Sequence, residues 1–183
     1  MQPYLTINFI RMTKILQKRF LAFFVDYLVI TLYAATLLTI TLLLYKFFNT
    51  PLSFPSPYVG QIIGFATLTL PVFAYFCIFE NSKWKGTIGK KKLGIHVETG
   101  NTNSLRKILV RNIVKFLPWE IAHTGVHWLA YFLRTTNEVP YWNWILLIAP
   151  QLIVVVYLFS LFYYNGKSSF YDEIAKTKIL ITV

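Results

Sequence analysis

Apolar residues fall in four long blocks, at 20–45, 58–79, 116–133 and 141–164, separated by polar or basic stretches. A helix rises 1.5 Å per residue, so about 20 apolar residues cross roughly 30 Å of hydrocarbon. The first, second and fourth blocks reach that length, and the second carries no charge. The third contains Glu120, His123 and His127 and needs independent support. Between blocks two and three, over 80–115, the pattern changes twice. Residues 86–100, GTIGKKKLGIHVETG, set glycines around a strand-like LGIHVE. Residues 104–116, SLRKILVRNIVKF, place Leu105, Ile108, Leu109 and Phe116 on one side of a helix, with Lys107, Arg111 and Lys115 recurring every four residues on another. That spacing predicts a basic amphipathic helix lying on an anionic leaflet, with Lys107, Arg111 and Lys115 as its lipid-surface contacts and Ser104 as its N-cap. The pattern as a whole predicts an all-α polytopic membrane protein forming one domain over 1–183.

Composition agrees. Hydrophobic residues make up 56% of the chain and charged residues 14%, too few polar groups to coat a soluble fold of 183 residues. The formal charge of +11 does not point to nucleic acid, because the basic residues sit at the ends of apolar runs. Arg11, Lys14, Lys18 and Arg19 precede the first block, nine basic residues lie between blocks two and three, and Lys167, Lys176 and Lys178 follow the fourth. Four crossings put all of these on the cytoplasmic side and leave only Lys46 and Arg134 outside. Three crossings would export the basic tail, against the positive-inside rule. Four transmembrane helices with both termini cytoplasmic, in a bacterial cytoplasmic membrane, are therefore expected. Tyr141, Trp142, Trp144, Tyr163 and Tyr164 mark the interfaces of the fourth span.

Local signals are weaker. Pro71 and Pro150 lie inside spans and free the carbonyls of Thr67 and Leu146. Gly60 and Gly64 form a GxxxG that suits either internal packing or dimerisation. Gly89–Lys90 lacks the spacing and the following Ser/Thr of a phosphate loop, which argues against a nucleotide site. Cys77, the single cysteine, reads as a small buried hydrophobe.

Candidate chemistry begins at Asp26, in KRFLAFFVDYLVI. An ionised Asp at mid-helix costs about 2.5–3.5 kcal/mol on insertion scales, so it needs partners. Arg19 lies seven residues earlier on nearly the same face, about 10 Å away in rise. RFLAFFVD, the Gly-rich GTIGKKKLGIHV, the basic RKILVRN and SSFYDEIAKT after the last span resemble, in order and spacing, the RDD family of membrane proteins. The resemblance covers residue 18 to the C-terminus, with Arg19, Asp26 and Asp172 in the places of the arginine and two aspartates that name the family. One departure is Lys176, where a small residue usually precedes the terminal threonine. The resemblance implies that the three signature residues converge near the cytoplasmic face. Two carboxylates sharing one guanidinium would leave a charge of −1, which a proton, a cation or another basic residue would neutralise. Such a cluster reads either as a cation- or proton-coupled site or as a clasp pinning the tail to the first span.

A second constellation, LPWEIAHTGVHW, sets Glu120, His123 and His127 on one arc of a helix. Each adjacent pair has metal-ligand spacing, but no Cys cluster or further histidine pair assists, so a metal site at His123 and His127 ranks below proton handling. Pro118 also suits a first helical turn, which would make Glu120 an ordinary acid near a helix start. Asp26, Glu120, His123 and His127 together are the expected proton or cation site. The expected function is a small proton- or cation-coupled transporter of an ion or solute, working as a homo-oligomer and needing no cofactor. The alternative is a non-transporting scaffold in which the cluster is structural. Without a nucleophile–base pair, an enzyme is not expected.

Overall fold

A computed structural model describes residues 3–49, 56–100, 103–136 and 138–182, with side chains from residue 13 onward, so the Arg11 side chain lies outside the described residues. The chain runs through helix α1 (Pro3–Phe48), α2 (Pro57–Gly64), a π-turn (Phe65–Thr69), α3 (Leu70–Asn81), a short α4 (Ile88–Lys92), strand β1 (Ile95–Glu98), α5 (Ser104–Thr135), α6 (Tyr141–Tyr163), a short α7 (Phe170–Ala175) and strand β2 (Lys178–Ile181). Among the described residues three helical stretches are long and apolar enough to cross a membrane: Thr13–Phe48, Pro57–Asn81 and Tyr141–Tyr163. The block at 116–133 is not among them; it forms the second half of the 32-residue α5.

Contacts along the long helices align them as antiparallel neighbours. Between α5 and α6, the Tyr157 hydroxyl donates to the Val114 carbonyl at 2.8 Å, and Trp128 meets Trp142 at the other end, with ring centroids 5.4 Å apart. Against α2–α3, Phe116 meets Phe76 at 5.3 Å and Trp128 meets Tyr58 at 5.2 Å. α1 touches the same pair through Asp26 with Tyr75 and Tyr33 with Thr67. Gly125 lets α6 approach, because a Cβ there would lie 2.9 Å from Leu147.

Three prolines interrupt helical bonding, and two of the freed carbonyls find tyrosines. Pro71 releases the Thr67 carbonyl, which accepts from Tyr33 beside the π-turn. Pro118 releases the Val114 carbonyl, which accepts from Tyr157. Pro118 thus lies inside α5 rather than at a helix start, and Glu120 is a mid-helix residue. Pro150 is likewise inside α6.

The all-α expectation needs one correction. β1 pairs antiparallel with β2, Ile95 opposite Ile181 and Glu98 opposite Lys178. Ile95, Val97 and Ile179 on its inner face pack on Ala22 of α1. The strand-like LGIHVE is therefore half of a sheet whose other half, KILI, is supplied by the tail. That pairing lays loop and tail on the N-terminal half of α1, where Ile15 and Leu16 are buried as well.

Candidate functional site

The first side-chain cluster forms where α1, α3, α4, α5 and α7 converge. Ser169 and Asp172 form a capping box at the start of α7: the Ser169 backbone N–H donates to Asp172 Oδ2 at 3.0 Å. This fixes the carboxylate between two guanidiniums. Arg19 Nη2 reaches Asp172 Oδ2 at 2.8 Å, and Arg111 Nε reaches Oδ1 at 2.6 Å. Burial disfavours the charged form of Asp172, but Arg111 and then Arg19 outweigh it and hold the carboxyl at about 2. Arg19 also donates to the Gly166 carbonyl at 3.0 Å, closing the turn after α6 onto α1.

Arg111 bridges to a second buried acid. Its Nη1 lies 2.7 Å from both Glu80 oxygens, Asn112 Nδ2 donates to Glu80 Oε2 at 2.9 Å, and Lys90 Nζ pairs with Glu80 Oε1. Glu80 and Arg111 are each 1% exposed. Burial opposes the charge on Arg111, but Glu80 and Asp172 more than compensate and raise its affinity for its proton. Lys90 goes the other way, its pKa lowered by burial and by Arg111 against the pull of Glu80. Lys115 is pushed well below the usual lysine range by burial and then by Lys90; its Nζ sits 3.4 Å from the centre of the Phe76 ring.

Asp26 has a separate cradle. Thr87 Oγ1 donates to Oδ2 at 2.5 Å, while the Gly89 N–H and the Tyr75 hydroxyl each donate to Oδ1 at 2.8 Å. Gly89 allows this, because a Cβ there would sit 2.9 Å from the Asp26 carboxyl carbon and collide with the Ala22 carbonyl. The glycine loop that lacks the features of a phosphate site thus cradles an anion of its own chain.

A second polar layer continues along α5. Trp119 Nε1 donates to Thr69 Oγ1 at 3.2 Å, Gln61 Nε2 donates to Glu120 Oε1, and His123 Nδ1 lies 3.8 Å from that same oxygen. The His123 and His127 Nε2 atoms face each other at 3.1 Å. Gly64 lies against this pair: a Cβ on it would be 2.6 Å from His123 Cε1. With Arg111, Asn112 and Lys115, these groups make one polar seam facing α2–α3. Sixteen positions at 1.5 Å give it a length of about 24 Å. Among the described residues four buried atoms on the seam have no hydrogen-bond partner: Gln61 Oε1, Asn112 Oδ1, Glu120 Oε2 and His123 Nδ1.

Comparison with known protein families matches the RDD family over residues 15–176. The chain belongs to the RDD family. No curated protein and no solved structure matches it. It is an integral membrane protein by its family and by its apolar helices.

In this RDD protein the signature arginine and the second signature aspartate, Arg19 and Asp172, are in direct contact. The first aspartate differs from the sequence expectation. Among the described residues Asp26 makes no ion pair with Arg19; the two line one pocket from different sides, and neutral donors hold Asp26. Seven residues of rise separate the charges too far for contact, and the glycine loop fills the gap. Nor do Asp26, Glu120, His123 and His127 form one site. Asp26 bonds Tyr75 while Glu120 bonds Gln61, fourteen residues earlier and about 20 Å along α2–α3. No group of three or more His, Cys, Asp and Glu gathers to hold a metal ion among the described residues.

The expected lipid contacts on α5 are also corrected. Arg111 is buried in the ion network, Lys115 stacks on Phe76, and Lys107 Nζ donates to the Thr99 carbonyl at 2.6 Å. The outward face of this helix is apolar instead, with Leu105, Ile113 and Leu117 each about half exposed. The helix is amphipathic with the opposite face inward, because two acids from distant elements wait there for its arginine.

Glu80, Lys90, Asn112, Thr87 and Tyr75 are site residues that the sequence reading passed over. Signals existed for two. Glu80 closes an otherwise uncharged apolar block, and Thr87 begins a one-turn helix as its N-cap.

Proposed function

We propose that this RDD protein is a small proton-coupled membrane transporter whose proton route follows the polar seam of α5. α5 then supplies the third of four antiparallel transmembrane helices, and its 116–133 segment crosses the bilayer. Both termini lie in the cytoplasm, in a bacterial cytoplasmic membrane, as the distribution of basic residues favours. One observation carries the reading: Glu120 and His123 sit mid-helix, each with a buried polar atom that has no hydrogen-bond partner among the described residues, next to a second imidazole 3.1 Å away. Unpaired polar atoms in hydrocarbon cost free energy unless protons or water visit them, and intramembrane acids are functional by default. Imidazole pairs relay protons near neutral pH. The π-turn facing the seam is the kind of helix defect that gathers at functional positions.

Protons fit better than a coupling cation. The expected excess negative charge disappears once Glu80, Lys90, Arg111 and Lys115 are counted, since four basic groups now face three acidic ones. A four-helix bundle offers little room, so a homo-oligomer completes the pathway. Nothing in the side-chain clusters resembles a nucleophile with its base, and no enzyme activity is proposed.

The test is proton uptake into proteoliposomes under a potassium diffusion potential, read with an internal pH dye. Wild type acidifies the lumen, and Glu120→Gln reduces the rate at least tenfold while remaining folded. Equal rates in the two would remove Glu120 from the mechanism. The scaffold reading has its own support in the cytoplasmic network, which ties five elements together; it predicts no flux in wild type under any gradient.

A further inference from the structure

We propose that the pocket enclosed by α1, α3, α4, α5 and α7 binds a small monovalent carboxylate anion. The pocket measures about 80 Å³, against roughly 30 Å³ per water in the liquid, so it admits a group of a few heavy atoms. Its charged lining is Arg19, Asp26, Lys90, Arg111 and Lys115. Most of these are already engaged. Arg19 is held by Asp172 and the Gly166 carbonyl, Lys90 by Glu80, and both Asp26 oxygens accept from the Thr87, Gly89 and Tyr75 donors.

Two donors remain. Arg111 spends Nε on Asp172 and Nη1 on Glu80, while its Nη2 makes no hydrogen bond to the described residues. Lys115 Nζ touches the Phe76 and Phe116 rings and donates to no acceptor among the described residues. An ammonium and the free arm of a guanidinium one helical turn apart match the two oxygens of a carboxylate. The cluster's excess of one basic group over its acids would be cancelled by a single negative charge, which favours a monoanion over a divalent one. Phe23, Phe76, Ile95 and Tyr171 supply an apolar wall for a short alkyl tail. The site concerns equilibrium binding and stands whether or not protons travel the seam.

Binding would be measured by calorimetry, titrating sodium acetate and then propionate into the purified full chain in phosphatidylcholine nanodiscs at constant ionic strength. Wild type is expected to bind saturably. Losing one charge-assisted hydrogen bond weakens binding roughly 10- to 100-fold, so Lys115→Met falls in that range while Lys115→Arg stays within a few-fold of wild type. A methionine replaces an unpaired charge with apolar volume over Phe76, and unchanged melting confirms that the variant folds. Wild type supplies a second readout. Lys115 shares the pocket with Arg19 and Asp26 of α1, Lys90 of α4, Arg111 of its own helix and Tyr171 of α7, and the Glu80 charge of α3 acts on it as well. As pH rises and Lys115 sheds its proton, acetate affinity drops in wild type and stays level in Lys115→Arg. The absence of saturable binding, or equal affinity in Lys115→Met, overturns the proposal. So does Lys115-dependent retention of phosphatidylglycerol in native mass spectra without acetate binding, which would assign the pocket to a lipid phosphodiester.

Discussion

Replacing Glu80 by glutamine removes one charge and almost no volume at the centre of the ion network. In wild type the Glu80 carboxylate receives Arg111 Nη1 at 2.7 Å, Asn112 Nδ2 at 2.9 Å and the Lys90 ammonium, and the side chain is fully enclosed. The glutamine amide keeps one acceptor oxygen but turns an NH₂ toward Arg111 or Lys90, a donor facing donors. Removing one member of a buried ion pair costs about 3–5 kcal/mol, because the partner charge stays buried without compensation. Asp172 still balances part of Arg111, which puts Glu80→Gln near the lower end, about 3 kcal/mol. Adding Lys90→Met removes the second stranded charge and should recover about 1–2 kcal/mol, a coupling expected between residues of one network. The assay is the unfolding free energy in mixed micelles with increasing dodecyl sulfate, followed by circular dichroism. Glu173→Gln, at an exposed position of α7, serves as the control and should stay within about 0.5 kcal/mol of wild type. A Glu80→Gln loss below about 1 kcal/mol, or no recovery in the double variant, would refute a network held together by this acid.

Three further outcomes follow from the same geometry. Gly89→Ala forces a methyl against the Ala22 carbonyl and the Asp26 carboxylate, and should cost about 1–3 kcal/mol in the same unfolding assay. Lys176 caps α7 in the left-handed region at φ 55°, where a side chain costs about 1–2 kcal/mol; Lys176→Gly should therefore stabilise the protein by about 1 kcal/mol. Asp172 is ionised down to about pH 2 in the folded chain, below its ordinary value near 3.8, so its stabilisation is complete above that ordinary value and is lost as pH falls toward 2. That limb amounts to about 2 kcal/mol in wild type and should be missing from the acid titration of Asp172→Asn.

Much of this arrangement could be read in the amino-acid order, and the misreadings have a common cause. Periodicity marked the long helices, and the signature in RFLAFFVD and SSFYDE led to the contact between Arg19 and Asp172. The S-x-x-D spacing of Ser169 and Asp172 carries the capping box as well. Amphipathicity gave the correct shape for the start of α5 but the wrong side, because a helical stripe does not say whether lipid or a buried acid awaits its basic face. Glu80 supplies that answer from 31 residues away. Spacing along one helix pairs Asp26 with Arg19, whereas two of its three donors come from a loop more than 60 residues downstream and the third, Tyr75, from α3. The tail strand KILI was illegible because four residues of mixed polarity have no meaning as a strand until β1 lies beside them. Lys176 is the reverse case: its departure from the family pattern falls at a left-handed backbone position, where the absence of a bulky side chain would be favoured.

The most direct test of the central claim is thiol accessibility along α5 in sealed vesicles, on a background with Cys77 replaced by alanine. Single cysteines at Lys115, Glu120, His123 and His127 follow the inward seam, while cysteines at Ile113 and Leu117 mark the outward apolar face. If the seam is a hydrated route across the bilayer, its cysteines react with a membrane-impermeant reagent, from the cytoplasmic side near 115 and from the opposite side near 127, and those at 113 and 117 do not. Seam cysteines no more reactive than the outward pair would contradict it.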